Sequence, residues 1–140
     1  MTSVSALANI EPGHRLGSFT TSPVTGLTLA LFAGGSGDHN PIHVDPVIAR
    51  ENGFSDVIAH GMLSMAYLGR LLTNWVPPQQ LRSFNVRFAA VTPIYSHVTC
   101  QGTVVEVTEA AGERRARIEV TTSLPDGTIT LTGEALVALT

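Results

Sequence analysis

The amino-acid sequence predicts an α+β fold in which an antiparallel sheet wraps around one buried helix. Residues 61–75 are apolar on most sides of a helix, which is typical of a helix that is covered all round. From Ser83 onward, runs rich in valine, isoleucine and threonine alternate with short turn sequences, as antiparallel strands do. The helix would be about 20 Å long, close to the length of a six- or seven-residue strand. The strands therefore match the helix that they have to cover.

Capping and turn signals predict the remaining elements. The Ser-Pro pair at 22–23 predicts the start of a first helix, which ends in the glycine-rich segment 34–37. The Asp-Pro pair at 45–46 predicts a second helix, which Gly53 ends. Four strands are predicted, at 84–91, 96–108, 114–123 and 128–139, and 15–20 is the candidate for a fifth.

Length and composition predict one domain, 1–140, with another copy or a partner covering part of its surface. Charged residues make up only 14% of the chain and hydrophobic residues 44%, which leaves more apolar surface than a lone monomer usually exposes. The net charge of -3 and the lack of a basic stripe argue against nucleic-acid binding. We find neither a signal-peptide pattern nor a membrane-spanning stretch, so we expect a cytoplasmic protein without a membrane partner. Cys100 is the only cysteine and is interpreted as a small core residue.

A loop directly after the first predicted helix carries the residues that indicate chemistry. Asp38 and His43 lie on this loop, and Gly37 and Pro41 restrict the backbone between them. A carboxylate and an imidazole held on one rigid loop are suited to acid–base catalysis. Asn40 can orient its neighbours through side-chain hydrogen bonds. The loop alone leaves a second interpretation open, in which Asp38 and Asn40 only cap turns and His43 packs inward.

The start of the central helix supplies a second candidate element. The first amides of a helix have no acceptor within the helix, and Gly61 lacks a side chain that would keep a ligand away from its N–H. The positive end of the helix dipole adds to the attraction for an oxyanion. An alternative remains open, in which Gly61 only relieves crowding at a tight turn.

Together the two elements resemble a known family. The run 32–49 matches, at every defined position, the signature of the MaoC-like (R)-specific enoyl-CoA hydratases. This signature consists of an aromatic residue, small residues that lead into Gly-Asp-x-Asn-Pro, an aliphatic residue, a histidine and, after five further residues, a small residue. The segment 58–63 is similar to the start of that family's central helix. The resemblance covers about 12–139. It implies the hot-dog fold, with the sheet wrapped around the helix, a single hot dog per chain, a homodimer with one continuous sheet, and no metal or redox cofactor.

The resemblance also implies roles for individual residues. Asp38 and His43 match the pair that holds the reacting water, Asn40 the residue that orients this pair, and Gly61 the amide that binds the thioester oxygen. The implied reaction is the reversible syn addition of water to a trans-2-enoyl thioester, which gives a (3R)-hydroxyacyl thioester. Which member of the pair takes the proton from water stays open, and we treat the two as coupled.

A narrower resemblance concerns the substrate carrier and the partner. Residues 74–76 and 84–88 are similar to the catalytic subunit of the heterodimeric 3-hydroxyacyl-ACP dehydratase of mycolic-acid synthesis. That relative acts on carrier-protein thioesters and needs a non-catalytic partner chain. Coenzyme A and acyl carrier protein therefore both stay open as the carrier, and a heterodimer stays open beside the expected homodimer.

Further residues are candidates for substrate binding. Ala66 and Gly69 are small residues of the central helix, and we expect the acyl tunnel to pass them. Arg82 and Arg87 are candidates for the phosphates of coenzyme A, although solvent-facing charges on an edge strand are an equally good interpretation. His60, directly before Gly61, is a further candidate substrate contact.

A metal site is a competing interpretation of the histidines. His39 and His43 have a spacing that zinc helices use, with His60 and Asp45 as further candidate ligands. Pro41 between the first two argues against their sharing one helical face, so we predict no metal.

Two other classes of protein compete with a hydratase. Hot-dog thioesterases usually place a carboxylate on or near the central helix, but 62–76 contains no Asp or Glu. A non-catalytic subunit that only binds acyl thioesters would have little reason to keep Asp38, Asn40 and His43 together.

Overall fold

Five antiparallel strands form one sheet in the computed structural model, which describes residues 2–140. The strands lie in the order β1-β3-β4-β5-β2. In chain order the elements are α1 (Val4–Leu7), β1 (Phe19–Thr20), α2 (Gly26–Ser36), α3 (Pro46–Glu51), α4 (Gly61–Trp75), β2 (Leu81–Phe88), β3 (Thr99–Ala110), β4 (Glu113–Ser123) and β5 (Ile129–Ala138). Short 3₁₀ turns at Pro41–His43 and Pro78–Gln80 precede α3 and β2.

The core lies between α4 and the inner face of the sheet. Leu68, Leu71 and Leu72 of α4 are at most 1% exposed and belong to one cluster with the buried residues of β3, β4 and β5. Burying each of these leucines contributes about 1.5–3 kcal/mol to folding. At Gly102 an added Cβ would lie 3.3 Å from the Leu71 side chain, so helix and sheet pack closely. The predicted hot-dog fold, with its central helix at 61–75, is confirmed.

One side of α4 is not covered by the sheet. Met62 is 53% exposed, and Ala66, Arg70 and Asn74 are exposed along the same side. The guanidinium of Arg70 lies 4.3 Å from the centre of the Phe19 ring. The helix is therefore less completely buried than its apolar sequence predicts, and its free side lines the cavities described below.

The first predicted helix begins later than expected. Thr25 caps α2, because its side-chain oxygen accepts from the Thr28 amide at 3.2 Å. The expectation that Ser22 caps this helix is wrong, because the amides of Thr21 and Val24 donate to carbonyls of the segment 96–98 and hold this part of the chain extended. The second helix starts and ends as predicted: Asp45 accepts from the first amides of α3, and Gly53 has a left-handed φ of 90°.

The first long strand is shifted relative to its prediction. β2 ends at Phe88, because the amides of Ala89 and Ala90 both donate to the carbonyl of Thr130, which breaks the regular ladder with β5. The chain then turns towards α4, where the Thr92 carbonyl accepts from the Ala59 amide. The segment 89–92 therefore lies beside the start of α4 instead of continuing the sheet.

Three smaller expectations concern the remaining sequence. The candidate fifth strand is reduced to β1 and an isolated bridge between Arg15 and Thr103. Cys100 is a core residue, as predicted, and burial raises the pKa of its thiol to about 12. Within residues 2–140, none of the helices is both long and apolar enough to cross a membrane.

Candidate active site

The loop that follows α2 places the acidic residue. Gly37, with a left-handed φ of 78°, ends the helix and turns the chain into Asp38. One oxygen of the Asp38 carboxylate accepts from the Asn40 amide at 3.2 Å, and the Asn40 side chain accepts from the Ile42 amide at 3.2 Å. Asn40 thus caps the short 3₁₀ turn that connects Asp38 with His43, which is compatible with the predicted orienting role. The turn-capping interpretation and the catalytic interpretation of this loop are compatible, because the caps hold Asp38 and His43 on one rigid segment.

His43 is buried, and one ring nitrogen has a fixed partner. Its Nδ1 lies 2.8 Å from the backbone carbonyl of Ile58. A carbonyl oxygen can only accept, so Nδ1 carries the hydrogen, and in the neutral ring Nε2 keeps its lone pair. Nε2 lies 3.8 Å from a carboxylate oxygen of Asp38, whose side chain is 48% exposed. This distance is too long for a direct hydrogen bond and leaves both atoms able to accept from one water molecule.

Gly61 is the first residue of α4 and borders the same cavity. The cavity has a volume of about 460 Å³, and its lining includes Asp38, His43, Gly61 and Phe88. His60, the residue before Gly61, makes no side-chain hydrogen bond to the first turn of α4 within residues 2–140. The Leu63 amide donates to the His60 carbonyl, whereas the Gly61 amide has no acceptor within the helix and remains available to a ligand oxygen.

Phe88 explains why residue 61 has no side chain. A Cβ at position 61 would lie 2.7 Å from Cε1 of the Phe88 ring, closer than real Cβ atoms come to their neighbours. The crowding that a side chain at position 61 would cause therefore comes from the Phe88 ring. It does not exclude a role for the amide, because Gly61 is also one of the residues that line the cavity.

A second cavity lies beside the first along the free side of α4. It also has a volume of about 460 Å³, and Asp38 and Met62 border both cavities. Ala66 and Gly69 line the second cavity, as the sequence predicts for the acyl tunnel. The remaining lining residues are mostly apolar: Phe32, Ser36, Met65 and Phe84. The two cavities together therefore follow α4 from Gly61 to Gly69.

His60 lies beneath the site instead of in it. It is 1% exposed and lines neither of the two cavities. Its Nε2 lies 3.2 Å from the backbone carbonyl of Asp38, and its ring stacks on that of His43 with centroids 3.8 Å apart. The ring lies against the segment 37–43 that carries Asp38 and His43, here called the dyad loop, and a substrate contact by the His60 side chain stays a prediction that these contacts do not support.

The two candidate arginines do not reach either cavity. Arg82 makes two hydrogen bonds to the Glu113 carboxylate, at 2.7 and 2.9 Å, and this ion pair, together with the Arg115 guanidinium, lowers the pKa of Glu113 to about 2. Arg87 is exposed. Phe84 and Phe88 of the same strand face α4, and because side chains alternate along a strand, Arg87 lies on the outer face of the sheet. The solvent-facing interpretation therefore describes both arginines within this chain.

Three possible metal ligands lie close together, but they are not aimed at one point. One ligand atom each of Asp38, His43 and His60 lies within 4.8 Å of the others. The two rings are stacked at an angle of 22° with centroids 3.8 Å apart, so their lone pairs lie in two nearly parallel planes, whereas a tetrahedral site requires lone pairs that converge on one ion. Asp45, another predicted ligand candidate, caps α3. The geometry does not favour a metal.

Two contributors to the site were missed from the sequence. Phe88 lines the first cavity, and its alternation with Phe84 along the strand would have indicated the shared face. Ile58 acts through its backbone carbonyl, which fixes the tautomer of His43. A backbone carbonyl has no signal in the sequence.

Comparisons with known proteins agree with this geometry. Residues 8–126 match the family model described as MaoC like domain. The chain is 33% identical to an (R)-specific enoyl-CoA hydratase of Aeromonas caviae over 115 residues, covering 79% of this chain and 83% of that protein. It is 32% identical to the 3-hydroxyacyl-thioester dehydratase Z of Mycobacterium tuberculosis over 118 residues, covering 80% and 78%.

Solved structures share the fold. The (R)-hydratase from A. caviae, involved in PHA biosynthesis, superimposes with a TM-score of 0.82 at 26% identity, covering 92% of this chain and 96% of that chain. The HadBC 3R-hydroxyacyl-ACP dehydratase complex from M. tuberculosis has a TM-score of 0.72 over 91% of this chain and 96% of that chain, and at 12% identity this likeness shows the fold alone. By the match over most of its length and by these relatives, the chain belongs to the MaoC-like family.

Proposed function

We propose that this protein catalyses the reversible syn hydration of trans-2-enoyl thioesters to (3R)-hydroxyacyl thioesters. The observation that carries the proposal is the arrangement in one cavity of Asp38, His43 and Gly61. The reaction requires a pair that holds the water and a donor for the thioester oxygen, and the lining of this cavity contains a candidate for each. Relatives named (R)-specific enoyl-CoA hydratase and 3-hydroxyacyl-thioester dehydratase support the same reaction in its two directions.

The proposed mechanism assigns the water to the pair. The water donates hydrogen bonds to Nε2 of His43 and to the Asp38 carboxylate, and its oxygen attacks C3 of the enoyl group. The electrons of the C2–C3 double bond move towards the thioester carbonyl, which becomes an enolate oxygen. The coupled pair takes one proton from the water and returns one proton to C2, so that H and OH are added across the double bond.

The Gly61 amide stabilises the enolate oxygen in this proposal. Charge develops on that oxygen only as the water attacks, so a fixed N–H donor lowers the barrier more than it strengthens substrate binding. A donor of this kind contributes about 3–4 kcal/mol. Coenzyme A or acyl carrier protein enters as part of the substrate, and the mechanism needs neither a metal nor a redox cofactor.

Product chirality tests the proposal. We expect incubation with crotonyl-CoA to give a single enantiomer, because the pair adds water from one side of the acyl group, and the relative named (R)-specific enoyl-CoA hydratase supports (3R)-hydroxybutyryl-CoA as that product. Chiral analysis of the hydrolysed product is the measurement. A product of (3S) configuration, or a racemic one, would contradict the proposed binding mode.

The second cavity is proposed to hold the acyl chain. Replacing Ala66 by Leu would place three further carbon atoms in this cavity, and overpacking of this kind costs about 1–3 kcal/mol. For Ala66→Leu we therefore expect kcat/KM for long-chain enoyl-CoAs to fall about tenfold or more, while crotonyl-CoA is affected by less than about threefold. A chain-length series is the measurement, and Ala6→Leu on α1, an exposed alanine that lines neither cavity, is the control. Unchanged activity on long chains would remove Ala66 from the tunnel.

A second hot-dog subunit is proposed to cover part of the exposed apolar surface. Leu27 and Leu31 of α2 are 69% and 67% exposed, and Val47 of α3 is 56% exposed. Such exposure on neighbouring helices is typical of a surface that another chain covers. A homodimer is the expected assembly, and the heterodimeric HadBC neighbour supports a non-identical partner as the alternative. A cytoplasmic location stays a prediction.

A further inference from the structure

His60 lies next to all three residues on which the proposed reaction depends, although it lies outside the cavity. It directly precedes Gly61 at the start of α4. Its Nε2 bonds to the backbone carbonyl of Asp38, and its ring stacks on that of His43 at an angle of 22°. The edge of its ring meets Phe32, with centroids 4.8 Å apart. One buried imidazole thus connects α2, the dyad loop and the central helix.

The protonation of His60 follows from these contacts. The carbonyl of Asp38 can only accept, so Nε2 carries the hydrogen and Nδ1 is left as an acceptor. Among residues 2–140, this Nδ1 is buried without a hydrogen-bond partner. Burial lowers the pKa of His60, and the hydrogen bond to the Asp38 carbonyl opposes this shift only in part. The titratable groups that face His60 are His43 and Asp38: the positive form of His43 lowers the pKa of His60 further, and the negative charge of Asp38 raises it.

A neutral His60 suits a catalytic His43. When His43 takes a proton from water, it becomes positive, and a second positive ring at 3.8 Å would oppose that step. A ring that stays neutral provides a flat surface against which the His43 ring keeps its orientation. The unpaired Nδ1 costs folding free energy that an apolar side chain would avoid, so packing alone does not explain a histidine at this position.

We propose that His60 is a positioning residue that fixes the ring of His43 and the backbone of Asp38 relative to each other and to the start of α4. The inference rests on the proposed hydration, since it assigns His60 a part in holding that reaction's dyad. Stacking restricts rotation of the His43 ring, so Nε2 stays directed at the water. The hydrogen bond to the Asp38 carbonyl holds the other end of the dyad loop.

Two substitutions separate the two contacts. His60→Phe keeps a stacking ring but cannot donate to Asp38, and His60→Gln keeps an N–H donor but cannot stack. We expect each variant to lower kcat for crotonyl-CoA about tenfold or more and to change KM by less than about threefold, because small displacements of catalytic groups slow the chemical step. The control is His14→Phe, since His14 stacks on Trp75 away from the site. Folded variants that keep the parental kcat, or that lose activity through KM alone, would overturn the inference.

A measurement on the unchanged protein covers the case in which the variants do not fold. Spectra of ¹⁵N-labelled histidine report tautomer and charge for each ring. We expect the neutral form of His60 to carry its hydrogen on Nε2, because Nε2 faces the Asp38 carbonyl, and we expect its pKa to lie below that of an ordinary histidine, because the ring is buried. A His60 whose neutral form carries the hydrogen on Nδ1 would overturn the inference. A parent protein inactive on every enoyl thioester would overturn the proposed function and this inference together, whereas an active parent with fully active His60 variants would overturn this inference alone.

Discussion

Asp38→Asn and His43→Ala are each expected to lower kcat for crotonyl-CoA hydration by roughly 10²–10⁴-fold while the protein stays folded. Asparagine keeps the shape of Asp38 but cannot take up a proton, and alanine removes the Nε2 lone pair that the Ile58 carbonyl leaves free on His43. Because the two groups lie 3.8 Å apart and act as one unit, the double variant should lose little more activity than either single variant.

Controls for these variants lie close by. His39→Ala removes an exposed histidine from the same loop, and Asp126→Asn removes an exposed carboxylate from a turn away from the site. Both controls should keep parental turnover, and thermal unfolding should show that all five variants, the double variant included, are folded. Hydration within about tenfold of the parent in a folded Asp38→Asn or His43→Ala variant would contradict the assignment of the dyad.

Gly61→Ala is expected to lower kcat/KM by about 10²–10³-fold, which corresponds to the loss of one oxyanion donor. The added Cβ would lie 2.7 Å from the Phe88 ring, so ring and helix start must move apart. The methyl group also obstructs the approach of a thioester oxygen to the amide. Gly34→Ala in α2, where an added Cβ meets nothing within 4 Å, is the matched control and should remain active.

A double variant separates the two effects of the methyl group. Adding Phe88→Ala to Gly61→Ala removes the ring that the new Cβ meets, so we expect thermal stability to recover in part. Turnover should remain low, because the methyl group still lies beside the amide. If the double variant regains the activity of Phe88→Ala alone, Gly61 serves only to accommodate Phe88, and the assigned oxyanion role is wrong.

The sequence predicted most of the fold because the signals involved are local. The apolar pattern of α4 and the strand–turn alternation after Ser83 persist in the structure, and the Asp45 cap forms as expected. The same kind of signal at Ser22 failed, because pairing of 21–24 with the segment 96–98 outweighs a local preference for a helix. Contacts between segments that are distant in the sequence decide whether such a helix start forms, and the local sequence pattern does not contain information on these contacts.

The residues of the candidate site also differ in how far the sequence alone predicts their positions. Asp38, Asn40 and His43 lie within six consecutive residues on one loop, so their proximity followed from the sequence alone. The position of His60 beneath the dyad depends on a contact across 22 residues of chain, and the pairing of Arg82 with Glu113 on one across 31. Whether such a side chain faces the substrate, a neighbour or solvent is set by the register of the sheet and the direction of the helix.

The central claim is tested most directly by following crotonyl-CoA with the purified chain, with enoyl absorbance and free thiol measured together. The account predicts that enoyl absorbance falls to an equilibrium value without release of thiol, and that added (3R)-hydroxybutyryl-CoA approaches the same equilibrium from the other side. Release of free coenzyme A in proportion to the substrate consumed would contradict it and would identify a thioesterase.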